Sequence, residues 1–222
     1  PDITRHRTWQ VIEYVQSLIE TDGSPLELEY PLYPQPIYQQ NIRKQLAQAG
    51  IDSEKHLLVG LQLGCHRVAR RGWKIWNSQR HQHKKVWPLE YYIQLAQQLV
   101  HYDQNIKIIL TGSQSEQYIA KLFLKKMPDA VSLIGKTALL ELAALMDQLQ
   151  LMITHDTGTM HVACARRTPL ITMFAATPVS FTGPFPQNDR NIILQAEKIE
   201  AISVDSVYAN AVQQLKRHQA LL

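Results

Sequence analysis

The chain has 222 residues, 45% of them hydrophobic and 19% charged, which fits one large globular domain or a domain with an appendage and excludes a disordered chain. Its formal net charge of +4 is mildly basic, and with no nucleic-acid motif in view it argues against a dedicated nucleic-acid binder. No apolar run approaches the roughly 18 residues of a membrane-spanning helix. Pro1 to Arg7 leads into no apolar stretch, so no signal peptide is expected. Pro1 stands where an initiator Met would, so upstream coding sequence is expected. Two cysteines, Cys65 and Cys164, exclude a disulfide framework and point to a reducing compartment.

The spacing of Val11, Val15 and Leu18 predicts a helix over 8–20. Four prolines (Pro25, Pro31, Pro34 and Pro36) then predict an extended connector. A short helix follows at about 37–49, closed by Gly50 at C′. Leu57 to Leu63 reads as a buried strand, and Tyr92, Leu95, Ala96 and Leu99 predict a helix over 89–102. Ile106 to Leu110 is a strand, and 115–126 a helix with Ile119, Leu122 and Phe123 inward. Val131 to Ile134 is a short strand, and 138–149 a helix facing inward through Leu142, Leu145, Met146 and Leu149. Leu151 to Thr154 is a strand, with a short helix near 159–166. Leu170 to Phe174 is a fifth strand, and Ser203 is expected to cap a final helix with Val204, Val207, Tyr208, Ala211 and Leu215 inward.

Strands alternating with helices of this length mean βαβ units, hence an α/β fold with a mostly parallel sheet and helices on both faces. Ligands of such sheets bind outside the carboxyl ends of the strands. Between Cys65 and Lys85 stand seven basic residues (Arg67, Arg70, Arg71, Lys74, Arg80, Lys84 and Lys85) and no acid. That segment reads equally as a phosphate grip and as a solvated charged loop.

The sharpest motif at the carboxyl edge is His155-Asp156-Thr157-Gly158-Thr159-Met160-His161, directly after a strand. The small residues open a helix whose first N–H groups and dipole favour an anion. The alternative is a simple N-cap at Asp156 or Thr157. Asp-Thr-Gly also occurs in aspartic proteases, but these need two such carboxylates on a β-rich chain, and this α/β chain has one. A metal site at His155, Asp156 and His161 is disfavoured because adjacent side chains diverge. Gly135-Lys136-Thr137 mimics the end of a Walker A loop, yet its first glycine would fall at Ala130, so Thr137 is expected to be a helix cap. Lys85, just ahead of Trp87-Pro88, would point at the ligand edge or lie on the surface. Ser113-x-x-Glu116 has capping-box spacing, and Glu116 there could instead hold a ribose diol.

Three of these motifs in order (Lys85-Val86-Trp87-Pro88; Gly135-Lys136-Thr137 with Leu142 to Leu145; Asp156-Thr157-Gly158-Thr159-Met160-His161) resemble glycosyltransferase family 9, the ADP-heptose:lipopolysaccharide heptosyltransferases. The stretch from Phe174 to Pro184 also resembles that family. The likeness runs over about residues 57–195. It implies one half of a GT-B architecture, a Rossmann-like domain that binds the donor, and inverting sugar transfer with no metal and no cofactor. It further implies that Lys85 neutralises the donor diphosphate or contacts its sugar, and that Asp156 meets sugar hydroxyls. Thr157, Gly158 and Thr159 would hold phosphate, with His161 supporting the turn. Glu116 would take the ribose, and Gly135, Lys136 and Thr137 would line the base pocket.

The partners implied are a nucleotide-diphosphate sugar and, through a missing N-terminal domain carrying the catalytic base, a lipopolysaccharide-core acceptor. On this reading residues 1–55 are an interdomain segment and 56–222 the donor domain. The place would be the cytoplasm, at the inner face of the inner membrane where the acceptor lipid sits. A non-catalytic nucleotide-sugar module of the same fold is the alternative, and an anionic-polymer binder a more distant one.

Overall fold

The run Leu57 to Leu63 is apolar except at Gly60 and Gln62, so a strand through it can be covered on both faces. The computed structural model, which describes residues 6–8, 32–65, 85–175, 177–186 and 188–220, builds its sheet around that strand. In chain order the elements are α1 (Pro36–Gln48), β1 (Leu57–Gln62), α2 (Leu89–Tyr102), β2 (Ile106–Thr111), α3 (Gln117–Leu124), β3 (Val131–Ser132), α4 (Leu139–Met146), β4 (Leu151–His155), α5 (Gly158–Ala165), β5 (Leu170–Phe174), α6 (Val179–Thr182), β6 (Asn191–Gln195) and α7 (Val204–Gln219). The strands lie in the order β3-β2-β1-β4-β5-β6, and every neighbouring pair is parallel. This is the doubly wound order whose direction reverses between β1 and β4. The expected α/β, Rossmann-like class is the one found.

Alternate residues of each strand go to opposite faces. Val59, Leu61, Ile108, Leu110, Ile153 and Ile171 join α2, α3 and α7 through Tyr92, Leu95, Leu99, Phe123, Val207 and Leu215. Leu58, Ile109, Met152 and Leu170 join α1, α4 and α5 through Ile42, Leu46, Leu145, Met146 and Ala163. Helix α1 ends as its sequence predicts. Gly50 takes φ +75°, its N–H donates to Ala47 O, and Ile51 N–H donates to Leu46 O, satisfying the last carbonyls. Ser203 caps α7 by accepting from Ser206 N–H at 3.2 Å.

Several expectations are corrected. Leu122 is 37% exposed, because Ala120 shares the buried stripe of α3 with Ile119 and Phe123. The helix expected to 149 stops at Met146, yet Leu149 stays buried by folding over Gly60. Thr137 does not cap α4; the cap position is Ala138, whose N–H donates to Glu141 Oε2 at 2.9 Å. A sixth strand, β6, pairs beside β5 where none was expected. Residues 9–20 of the helix expected at 8–20, most of the proline connector and residues 66–84 of the basic segment lie outside the described residues. Among the described residues no helix is long and apolar enough to cross a membrane.

The contact at Gly60 gives a direct test of the packing. A Cβ there would lie 2.6 Å from Leu149 Cδ1 and 2.7 Å from Met152 Sδ. Gly60→Ala overpacks the central strand and should cost about 1–3 kcal/mol, read as a lower midpoint in urea at unchanged slope.

Candidate functional site

At the carboxyl ends of β1 and β4, where the strand order reverses, polar side chains replace apolar ones. Gln62 ends β1 and is 3% exposed. Its Nε2 donates to Gly64 O at 3.0 Å and to Glu116 Oε1 at 2.9 Å. Its Oε1 accepts from Thr111 Oγ1 at 3.1 Å and from Thr159 Oγ1 at 2.9 Å. Glu116 is equally buried, and its Oε2 accepts from Ser113 N–H at 2.7 Å and Ser113 Oγ at 2.8 Å. The cap reading of Glu116 therefore holds locally. A carboxylate has about four lone-pair sites, so three donors leave one open. Gln62 carried no role in the sequence reading. The available signal was one polar residue at the carboxyl end of an otherwise apolar strand.

The phosphate-type element is the start of α5. Thr157 occupies the N-cap with φ −142° and makes no side-chain cap; its Oγ1 meets Thr154 Oγ1 at 3.1 Å instead. Asp156 does not cap either, since its Oδ2 accepts from Lys85 Nζ at 2.6 Å. Gly158 is exposed, and a Cβ there would meet nothing within 4 Å, so its backbone faces open space. Thr159 turns its hydroxyl inward to Gln62. The first turn thus offers backbone N–H groups and the positive end of the helix dipole outward.

Lys85 reaches Asp156 because the next residues are anchored. Trp87 is fully buried, its Nε1–H donates to Ile202 O at 2.8 Å, and its ring meets Tyr91 and Tyr92 edge-on at 5.5 and 4.9 Å. The Lys85 and Asp156 side chains remain 30% and 13% exposed, so the pair stays open to a ligand. His155 points the other way. It is fully buried, with Nδ1 3.3 Å from Tyr92 Oη. Among the described residues no group of three or more His, Cys, Asp or Glu is placed to hold a metal ion. Burial pushes the Cys164 thiol up to about 11, which makes it inert.

Gly135 sits at φ +71° on the loop after β3, where a Cβ would strike Gln114, and its N–H donates to Gly112 O at 2.9 Å. It borders the Ser113–Glu116 turn. Lys136 is exposed and Thr137 half-buried on the same rim, at the far side of β2 and β1 from Asp156. His161, one turn into α5, is half-buried. Burial lowers its pKa, Asp156 opposes that shift, and His6 adds to it. His6, from the N-terminal segment, packs against the loop between α6 and β6, stacked on Phe185 with ring centroids 4.9 Å apart and its Nε2 3.0 Å from Gly183 O.

Residues 27–211 match the family model described as glycosyltransferase family 9 (heptosyltransferase). The lipooligosaccharide heptosyltransferase 2 of Haemophilus influenzae is 30% identical over 125 residues, covering 54% of this chain and 35% of that protein. A glycosyl transferase family 9 structure from Veillonella parvula superposes with a TM-score of 0.77 at 20% identity, over 96% of this chain and 61% of that one. The Escherichia coli heptosyltransferase WaaC, solved with ADP, gives 0.68 at 16% identity, over 95% of this chain and 57% of that one. The matched segments span about a third of the length of the curated relatives. At these identities the structural likeness speaks for the fold.

His161 carries a pH prediction. Its imidazole titrates below the ordinary 6.5 in the folded chain. Below about pH 6.5 the unfolded chain therefore binds more protons, and stability falls as pH drops through the folded pKa. The melting temperature should fall between pH 7 and 5.5, and His161→Gln should flatten that fall; parallel curves would contradict it.

Proposed function

The chain belongs to glycosyltransferase family 9, and from that premise we propose that it is the donor-binding half of an inverting heptosyltransferase, taking ADP-heptose and serving transfer to the lipopolysaccharide core. One observation carries this: the Lys85–Asp156 pair stands beside the open, uncapped start of α5, at the reversal point of the sheet. A leaving nucleoside diphosphate gains negative charge as the glycosidic bond breaks. Donors fixed in advance around that charge stabilise the transition state more than the ground state. The N–H groups of Thr157, Gly158 and Thr159 would receive the phosphates, and Lys85 would neutralise the oxygen on the departing side. Asp156 holds Lys85 in place and would meet sugar hydroxyls with its remaining acceptor sites. His161 would support the turn.

Glu116 would accept from the ribose through its one open lone-pair site. Gly135, Lys136 and Thr137 would border the base, since a glycine at φ +71° brings that rim close to the Glu116 turn. ADP as the nucleotide is supported by the bound ADP of the WaaC structure and by the matches to heptosyltransferases. Transfer also needs a base to take the acceptor hydroxyl's proton. None of the assigned residues serves this; Asp156 is committed to Lys85. We assign the base and the acceptor site to a further domain, which makes this chain a binder of donor rather than a catalyst by itself. Its place would be the cytoplasm, in peripheral contact with the inner membrane at the acceptor lipid.

Two substitutions test the assignment. Lys85→Ala removes the cation, and Asp156→Ala releases it from position. Each should weaken ADP-heptose binding to this chain by about tenfold or more, on the order of 1.4 kcal/mol, measured calorimetrically. Wild-type affinity in both would refute the site.

A further inference from the structure

Three strand-end segments meet at one amide. Gln62 gives both its N–H bonds to the β1 side and the Glu116 turn, and both its lone pairs to Thr111 at the end of β2 and Thr159 at the start of α5. Its orientation is dictated by its partners. Two hydroxyl donors face the oxygen, and a carboxylate and a carbonyl face the nitrogen; the flipped amide would set its oxygen against a carboxylate. The carboxylate sits in space that two glycines leave for it. A Cβ at Gly64 would lie 2.5 Å from Glu116 Oε1, and one at Gly112 would lie 3.0 Å from Oε2.

We propose that Gln62 is a positioning residue of the donor site, coupling its nucleoside side at Glu116 to its phosphate side at the start of α5. The proposal rests on the donor reading above. Gln62 itself touches no donor atom in this account. It holds Glu116 at one end and turns the Thr159 hydroxyl inward at the other, so that α5 presents Thr159 to the ligand through its N–H. A ligand that engages one side finds the other already set, and ordering cost that would otherwise fall on binding is removed.

Gln62→Glu probes this with little change of volume. It places a second carboxylate against Glu116, and two carboxylates in such contact share a proton before both ionise. The titratable group of a packed helix that already senses Glu116 is Tyr92 of α2, whose phenol is pushed up by burial first and by the Glu116 charge second. Tyr92 in turn faces His155 of β4.

The experiment is calorimetric titration with ADP at pH 6 and pH 8, well below the melting temperature. The proteins are wild type, Gln62→Glu, Glu116→Gln and Gln62→Glu/Glu116→Gln. Gln62→Glu should lose tenfold or more in ADP affinity at pH 8 relative to wild type and recover most of it at pH 6. The double variant, with one carboxylate restored to one amide, should show no more pH dependence than Glu116→Gln alone. Wild-type affinity of Gln62→Glu at both pH values, or an equal loss at both, would overturn the coupling while leaving the donor reading intact. If the wild-type chain binds no ADP, the donor reading falls, and melting temperatures of the same four proteins judge the coupling. Gln62→Glu should then lose stability from pH 6 to 8 relative to wild type, and parallel curves would overturn the coupling too.

Discussion

A buried primary amide has two donors and two good acceptor positions, and each left unmade costs about 1–3 kcal/mol. Gln62 leaves none unmade, and that constraint organises the carboxyl edge of the sheet. It fixes the end of β1 against the end of β2, seats Glu116 under Gly64 and Gly112, and locks the first turn of α5 by the Thr159 hydroxyl. The strand order places this amide beside the point where β1 and β4 part. The crevice of the fold and this polar cluster therefore coincide.

Outside that cluster the site is electrostatic. The Trp87 indole, buried and bonded to Ile202 O, fixes the chain that carries Lys85. Lys85 then closes on Asp156 beside the positive end of α5. A cation next to a helix N-terminus is unfavourable without an anion. Asp156 supplies one in the structure as it stands, and an arriving diphosphate would add its own charge to the same place. The family to which the chain belongs transfers sugars, and the parts described here suit the leaving-group side of such a reaction.

The sequence carried the fold well where periodicity was strong. β1, α2, β5 and α7 lie where apolar spacing predicts them, and Gly50 and Ser203 end and begin helices as their chemistry requires. It carried less where an element is short or at an edge. β6 is a half-buried edge strand whose apolar core is only Ile192 to Leu194, too brief to separate from a loop. Leu122 is exposed against its pattern because Ala120, a weak hydrophobic signal, takes part of the buried stripe. At the site, Asp156 and the Thr157–Thr159 turn are visible as a motif after a strand and Lys85 as a separate motif ahead of a helix, and the structure brings them together. Gln62 was not visible, because its importance lies in partners 49, 54 and 97 residues away that no local pattern joins.

The central claim is that this edge is built for a nucleoside diphosphate, with adenine as its base. The direct measurement is calorimetric titration of the chain with ADP, UDP, GDP and ADP-heptose without added metal. Saturable binding of ADP and ADP-heptose is expected, with UDP and GDP markedly weaker. Binding of none of them, or equal binding of all three nucleotides, would contradict it.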